Sequence, residues 1–187
     1  MRIISGKFKG RKISGLIPKS TRPTTSKLRE STFNIISSIL NARGKSFDEI
    51  TMLDLCCGTG AVGIEGLSRG VNHVTFIDRE LSCIDLVKKI LNHLQCDEKH
   101  FSLHIGDATN LRLTNIAYDF VYVDPPYEQN ILNKTLHMLS GLGYLYNGSI
   151  VILEHGKNLV LDLPETFQQL SKKIYGNMAL SVLEHLT

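Results

Sequence analysis

The chain has 187 residues, of which 42% are hydrophobic and 21% charged, and its formal net charge is +3. This length and composition predict one globular domain whose core is large enough to need no disulfide or metal, and no apolar run reaches the ~20 residues that span a bilayer. None of the four cysteines lies in a CxxC pattern, so we expect reduced thiols, no metal site, no membrane segment and a cytoplasmic location.

The N-terminal segment is strongly basic. Nine lysines and arginines lie between Met1 and Arg29, and no acidic residue precedes Glu30, so the rest of the chain has a formal charge of −6. Such asymmetry is typical of a protein that binds nucleic-acid phosphates with one part. We predict a basic arm over residues 1–25, folded as a short hairpin, and a body over residues 26–187. The predicted RNA contacts are Arg2, Lys7, Lys9, Arg11, Lys12 and Arg22.

Helices and strands are predicted to alternate through the body. Apolar periodicity predicts helices over 26–40, 61–69, 80–94 and 128–139, and strands over 51–55, 73–78, 101–105, 120–123 and 149–153. A closing hairpin is predicted from strands over 173–175 and 179–183. This order predicts an α/β fold with a Rossmann-like, doubly wound, mostly parallel sheet and one antiparallel C-terminal hairpin.

A glycine-rich loop follows the first strand of the body. Gly58-Thr59-Gly60-Ala61-Val62-Gly63 matches GxGxxG, and Asp78 lies about 20 residues on, which by itself predicts a dinucleotide site. Asp54 argues against that interpretation, because a carboxylate beside the loop repels a pyrophosphate and suits a cofactor with a cationic end. S-adenosylmethionine has a sulfonium, an ammonium and no phosphate.

We therefore predict an S-adenosylmethionine site. Asp78 is placed to accept from the ribose hydroxyls and Asp107, at the next strand end, to accept from the adenine amine; an Asx turn is the alternative role for Asp107. The predicted cofactor-binding residues are Asp54, Gly58, Thr59, Gly60, Asp78, Asp107 and Ala108.

The sequence Asp124-Pro125-Pro126-Tyr127 follows the strand over 120–123. Two prolines end the strand in a rigid turn at its C-terminal end, where open α/β sheets bind ligands. A planar ring can stack on Tyr127, and an exocyclic amine can donate hydrogen bonds to the Asp124 carboxylate and the Pro125 carbonyl. We predict that these four residues form the catalytic site, and a plain surface turn is the alternative for the tetrapeptide alone.

The series strand–DxxxGxG, strand–Asp, strand–GDA and strand–DPPY resembles the class I S-adenosylmethionine-dependent amino-methyltransferases. The segments 2–12, 21–25, 29–35 and 63–70, and the late Tyr175-Gly176, resemble the bacterial 16S ribosomal RNA guanine-N2-methyltransferases of the RsmD type. The likeness covers nearly the whole chain in order. Two departures are Cys56-Cys57, where that family usually has an aromatic and a small residue, and Asp78, where Glu is usual.

The resemblance implies methyl transfer from S-adenosylmethionine to N2 of a guanine in 16S ribosomal RNA, within a small-subunit assembly particle. It also implies that the segment around Arg22 covers the cofactor or touches RNA. We expect a monomer. Three alternatives stay open: the same chemistry on adenine N6 or a glutamine amide, an NAD-dependent oxidoreductase with His155 as a base, and a non-catalytic RNA-binding module.

Overall fold

The computed structural model describes residues 2–13, 25–111, 117–125, 129–141 and 143–187. Four α-helices and seven strands lie in these ranges. In chain order they are α1 (Ser26–Ala42), β1 (Thr51–Leu55), α2 (Ala61–Arg69), β2 (His73–Asp78), α3 (Leu81–His93), β3 (Phe101–Ile105), β4 (Phe120–Val123), α4 (Gln129–Gly141), β5 (Ile150–Gly156), β6 (Phe167–Tyr175) and β7 (Met178–His185).

All seven strands form a single sheet with the order β3-β2-β1-β4-β5-β7-β6. The first five strands in that order are parallel, and β7 pairs antiparallel with both β5 and β6. The parallel strands are short apolar runs because helices cover both faces of the sheet. The predicted doubly wound fold with an antiparallel C-terminal hairpin is therefore confirmed.

The closing hairpin is longer than the sequence predicted. Its strands cover nine and eight residues, where the pattern indicated only 173–175 and 179–183. The reason is that β6 is an edge strand with most of its side chains exposed, so its sequence shows no alternation of apolar and polar residues. Backbone pairing with β7, and not local pattern, sets its length.

Two apolar clusters cover the two faces of the sheet. Alternation along β4 divides its side chains between them: Phe120 and Tyr122 pack with α1, α2 and α3, whereas Val121 and Val123 pack with α4. Alternation therefore indicates on which face of the sheet the side chains at the strand ends lie. No helix in the described ranges is long and apolar enough to cross a membrane.

The N-terminal residues 2–12 form the predicted hairpin. Arg2 pairs with Lys12 in an antiparallel bridge, and the Ile3 N–H donates to the Arg11 carbonyl at 3.0 Å. Ile3 and Phe8 are buried in the cluster that α1 and α2 cover. Residues 2–12 thus pack on the body, while the division into an arm over 1–25 and a body over 26–187 stays a prediction.

Candidate functional site

The candidate site lies at the C-terminal edge of β1 to β4. Backbone hydrogen bonds continue past the ends of the strands: the Cys57 N–H donates to the Ile77 carbonyl (2.9 Å) and the Asp124 N–H to the Leu55 carbonyl (3.4 Å). The chain continues from β1 into α2 on one face and from β4 towards α4 on the other. This is the switch point at which open α/β sheets bind ligands.

Four aspartates meet at this edge around Cys56. Burial raises the pKa of the Cys56 thiol, and the carboxylates of Asp78, Asp124, Asp54 and Asp107 raise it further. Each of the four predicted acids is therefore close enough to influence the same sulfur. Such a concentration of negative charge favours a cationic ligand and disfavours a phosphate.

Asp54 is almost fully buried, with 2% of its surface exposed. Its Oδ2 accepts a hydrogen bond from the Gly63 N–H at 2.8 Å. Burial raises its pKa from 3.8 to about 7; the Gly63 hydrogen bond opposes that rise, and the Asp78 charge adds to it. In the part of the chain that the structure describes, no Lys, Arg or His forms an ion pair with Asp54, so a bound cation would stabilise its charged form.

Asp78 holds the glycine loop in place. Its Oδ2 accepts from the Gly58 N–H at 2.8 Å, and its Oδ1 accepts from the Glu80 N–H at 3.0 Å. Gly60 has a φ of 67°, and an added Cβ would lie 2.7 Å from Cγ2 of Val87, so a side chain there would strain both backbone and packing. The carboxylate oxygens of Asp78 retain further lone pairs for ligand hydroxyl groups.

Asp107 forms the Asx turn that the sequence offered as an alternative. Its Oδ1 accepts from the N–H and from Oγ1 of Thr109, both at 2.8 Å, and these hydrogen bonds lower its pKa. Its side chain is exposed at the edge and therefore open to a ligand as well. Of the other predicted cofactor residues, Thr59 and Ala108 are both buried, and Ala108 packs in the core.

Two apolar side chains that the sequence did not single out flank Asp78 and Asp107. Ile105 is 59% exposed at the end of β3, where it pairs with Asp78, and Leu81 is 57% exposed at the start of α3. Exposed apolar side chains beside carboxylates suit a flat heterocycle with polar edges. Their exposure depends on where the strand and helix end in space, which local periodicity does not encode.

Asp124 and Pro125 are half-buried at the end of β4. The predicted catalytic residues Pro126 and Tyr127 lie outside the described residues, as does Arg22. Tyr122 lies on β4, two residues before Asp124. Its hydroxyl donates to Oε2 of Glu154 at 2.6 Å. Burial raises the pKa of Tyr122, and the charges of Glu154 and Asp124 raise it further, so both acids lie near this hydroxyl.

Glu154 is the acidic residue that sequence reasoning missed as part of the site. It lies on β5 and is 5% exposed. Val123 pairs with Leu153 in the β4–β5 register, so Asp124 and Glu154 occupy the next positions on adjacent strands. The sequence shows Glu154 only as an acid at the end of a strand, because nothing local indicates that β5 lies beside β4.

The basic hairpin lies against α2 rather than beside the aspartates. The Glu65 carboxylate of α2 accepts from the N–H groups of Ile4 and Ser5, each at 2.9 Å, and the Lys7 N–H donates to the Ser68 carbonyl at 2.6 Å. Because α2 runs away from the site, the tip of the hairpin lies towards the opposite edge of the sheet. The predicted RNA contacts among the described residues are all exposed: Arg2, Lys7, Lys9, Arg11 and Lys12.

His155 has a structural role. Its Nε2 is hydrogen-bonded to Oγ of Ser181 at 2.8 Å and its Nδ1 to the Gly156 carbonyl at 2.9 Å, and burial lowers its pKa. Because both ring nitrogens are hydrogen-bonded inside the fold, His155 is not available as the catalytic base of an oxidoreductase. Among the described residues, no group of three or more His, Cys, Asp or Glu side chains is arranged to hold a metal ion.

Comparison with known proteins points to one family. The family described as "Conserved hypothetical protein 95" matches residues 1–184. The chain is 34% identical to "Putative rRNA methyltransferase YlbH" of Bacillus subtilis over 97% of each protein. It is 30% identical to "Ribosomal RNA small subunit methyltransferase D" of Buchnera aphidicola, over 97% of this chain and 92% of that protein.

A solved structure has the same fold over its full length. The "Putative methyltransferase yhhF from Escherichia coli" superimposes with a TM-score of 0.85 and 25% identity, covering 100% of this chain and 98% of that one. The likeness therefore includes the N-terminal hairpin as well as the sheet and its C-terminal hairpin.

Proposed function

The chain belongs to the conserved hypothetical protein 95 family of RsmD-type methyltransferases, and from that membership we propose that it methylates N2 of a guanine in 16S ribosomal RNA. The proposed methyl donor is S-adenosylmethionine, and the proposed substrate is a small-subunit assembly particle in the cytoplasm, bound by a monomer. The observation that carries the proposal is the group of four aspartates at one edge of the sheet, one of which begins the sequence Asp124-Pro125-Pro126-Tyr127.

The residues at the edge fit S-adenosylmethionine. Asp54 is a buried carboxylate whose ionised form needs a cation, and the ligand carries both an ammonium and a sulfonium. Asp78 would accept from the ribose hydroxyls, and Asp107 from the adenine amine. Ile105 and Leu81 offer apolar surface to the adenine faces. When bound, S-adenosylmethionine supplies an electrophilic methyl group and a neutral thioether leaving group.

Asp124 acts on the amine of the substrate. An amine attached to an aromatic ring is a weak nucleophile because its lone pair is delocalised into that ring. By accepting from the N2–H, Asp124 and the Pro125 carbonyl favour a pyramidal nitrogen whose lone pair points at the methyl group. The amine nitrogen would accept the methyl group that bound S-adenosylmethionine supplies, and it would then lose one proton to Asp124 or to water. Positioning of this kind should supply much of the rate enhancement.

Tyr127 and the hairpin would hold the RNA. Tyr127 would stack on a base turned out of its helix, as enzymes that act on a paired or stacked base require. The exposed Lys and Arg side chains of residues 2–12 would contact phosphates along α2, which makes the affinity for RNA dependent on salt. A contact surface that extends away from the aspartates suits a large folded RNA better than a short single strand.

The experiment that tests this proposal combines product identification with one variant. Purified protein is incubated with labelled S-adenosylmethionine and small-subunit particles from cells that lack this gene, and the modified nucleoside is identified by mass spectrometry. We expect N2-methylguanosine; N6-methyladenosine would assign the same site to adenine. Asp124→Ala should lower turnover by ~10²–10⁴-fold while S-adenosylmethionine binding changes little.

The matched control is Asp97→Ala, an exposed turn aspartate distant from the edge, which should retain full turnover. Near-normal turnover of Asp124→Ala would remove the role assigned to Asp124. Absence of any labelled RNA, with the wild-type protein folded and bound to S-adenosylmethionine, would overturn the assignment of the substrate.

A further inference from the structure

We propose that Glu154 selects guanine over adenine by accepting a hydrogen bond from N1–H of the base whose N2 amine Asp124 holds. This inference rests on the proposed function. It assigns base choice, which the Asp-Pro-Pro-Tyr sequence leaves open, to a buried residue on a different strand.

The sheet brings the two carboxylates together. In the parallel pair of β4 and β5, Val123 lies beside Leu153, and Asp124 and Glu154 each follow by one residue. Neighbouring strands are about 4.8 Å apart, so side chains at matched positions are near neighbours. The electrostatic effect of both carboxylates on the single hydroxyl of Tyr122 is a second, independent sign of their proximity.

Tyr122 fixes the orientation of Glu154. Its hydroxyl donates to Oε2 at 2.6 Å, and both side chains are buried, with 1% and 5% of their surfaces exposed. A hydroxyl donor on one oxygen limits rotation of the carboxylate, and an ionised carboxylate can accept several hydrogen bonds at once. A carboxylate held by a rigid tyrosine on the adjacent strand is suited to recognise a hydrogen-bond donor at a fixed position on the base.

The pattern of donors on the two purines then decides between them. Guanine presents two adjacent donor groups, N1–H and the N2 amine, along its Watson–Crick edge. Adenine presents the N6 amine beside N1, which is an acceptor. Two neighbouring carboxylates match the donor–donor edge of guanine, whereas with adenine one carboxylate would face an acceptor and lose its partner. Sites built to bond a particular polar group reject analogues that lack it.

The test changes the hydrogen-bonding group at N1 of the base and the hydrogen-bonding group of the side chain at position 154. The substrate is an RNA fragment that carries the guanine mapped by mass spectrometry, made either with guanine or with 2-aminopurine at that position. The base 2-aminopurine keeps the N2 amine but has an acceptor at N1. The measurement is kcat/KM for each RNA, with wild type and with Glu154→Gln, whose amide can donate a hydrogen bond to N1.

We expect wild type to prefer guanine by ~10–100-fold, as for the loss of one hydrogen bond to a charged group. Glu154→Gln should reduce that ratio to about threefold or invert it, since the glutamine amide matches the N1 acceptor. The loss of O6 from 2-aminopurine affects both proteins alike and cancels in the comparison of ratios. Glu98→Gln, exposed and distant from the edge, is the matched control and should keep the wild-type ratio.

An unchanged ratio in a folded Glu154→Gln protein that binds S-adenosylmethionine would overturn the inference and leave the proposed function intact. If Glu154→Gln does not fold, Tyr122→Phe provides the same test: loss of the orienting hydroxyl should lower the preference severalfold, and an unchanged ratio would again contradict it. A wild-type protein that forms no N2-methylguanosine would instead contradict the proposed function itself.

Discussion

Helix α2 bonds two buried carboxylates that differ in how their charge is compensated. Glu65, on α2, is 1% exposed and accepts from two backbone N–H groups of the hairpin. It also bonds Nε of Arg69 at 3.0 Å and pairs with Nε of Arg29 at 3.5 Å. Asp54, which bonds the first turn of the helix, is equally buried but accepts from the Gly63 N–H, with no ion pair among the described residues.

The difference distinguishes a carboxylate that is compensated within the fold from one that we propose to be functional. A buried charge is costly unless hydrogen bonds and an opposite charge compensate it. Glu65 has both inside the fold, so it joins the hairpin, α1 and α2 into one unit. Asp54 has a hydrogen bond but no ion pair within the described ranges, and burial raises its pKa to about 7. We expect a cationic ligand to supply the opposite charge.

Removing Glu65 should give the largest effect. In Glu65→Ala, the guanidinium of Arg29, which is fully buried, loses its carboxylate, and the Ile4 and Ser5 N–H groups lose their acceptor. We expect the free energy of unfolding in urea to fall by ~3–5 kcal/mol. Glu98→Ala, an exposed control, should stay within ~0.5 kcal/mol of wild type. A loss below ~1 kcal/mol for Glu65→Ala would mean that the network is not a structural anchor.

The dependence of stability on pH should reveal the raised pKa of Asp54. Its pKa is 3.8 when unfolded and about 7 when folded, so the folded chain keeps a proton that the unfolded chain releases. The contribution of Asp54 to the free energy of unfolding is fully present below pH ~4 and decreases as pH rises. It is lost above pH ~7, and the total loss is at most about 4 kcal/mol. The difference in unfolding free energy between wild type and Asp54→Asn should therefore change across this window.

Asp97→Asn is the control for that experiment, because a backbone hydrogen bond from Lys99 lowers the pKa of Asp97. Its small effect should have the opposite sign: stability is gained as pH rises through the acid range. A wild-type curve that runs parallel to that of Asp54→Asn between pH 4 and 7 would show that Asp54 titrates as an ordinary aspartate.

The charge of Asp54 should also determine the affinity for the ligand. Asp54→Asn keeps an oxygen for the Gly63 N–H but loses the charge, so we expect S-adenosylmethionine to bind ~10–100-fold more weakly, about 1–3 kcal/mol, by calorimetry. In wild type, affinity should increase with pH up to ~7, because a cation binds the ionised carboxylate. An Asp54→Asn protein with wild-type affinity would place the cation elsewhere.

The smallest effect should come from the exposed side of the hairpin. Replacing Lys7, Lys9, Arg11 and Lys12 by Gln leaves the backbone bonds to Glu65 and Ser68 in place, so stability should change by less than ~1 kcal/mol. The slope of log affinity for RNA against log salt should become shallower by about 3–4, the value for four phosphate contacts at ~0.7–0.9 each. An unchanged slope would mean that these four side chains do not contact RNA phosphates.

Local pattern was enough to locate the acids at the edge of the sheet. Apolar runs indicated where β1 to β4 end, and an acid lies within two residues of each end, so Asp54, Asp78, Asp107 and Asp124 were identified before their positions in space were known. These acids lie at one edge because parallel strands in an open sheet place their C-terminal ends there. The same reasoning did not reach β6, whose exposed edge position removes the alternation that marks a strand.

The sequence by itself determined the order of elements, the basic N-terminus and the acids at the strand ends, because each depends on periodicity or composition within a few residues. Only the tertiary structure decided which distant groups meet. Glu65 accepts from residues 60 and 61 positions away, and Tyr122 bonds Glu154 across 32 positions. Such pairs depend on strand order, register and helix packing, and these are set by burial of the whole core rather than by any local pattern.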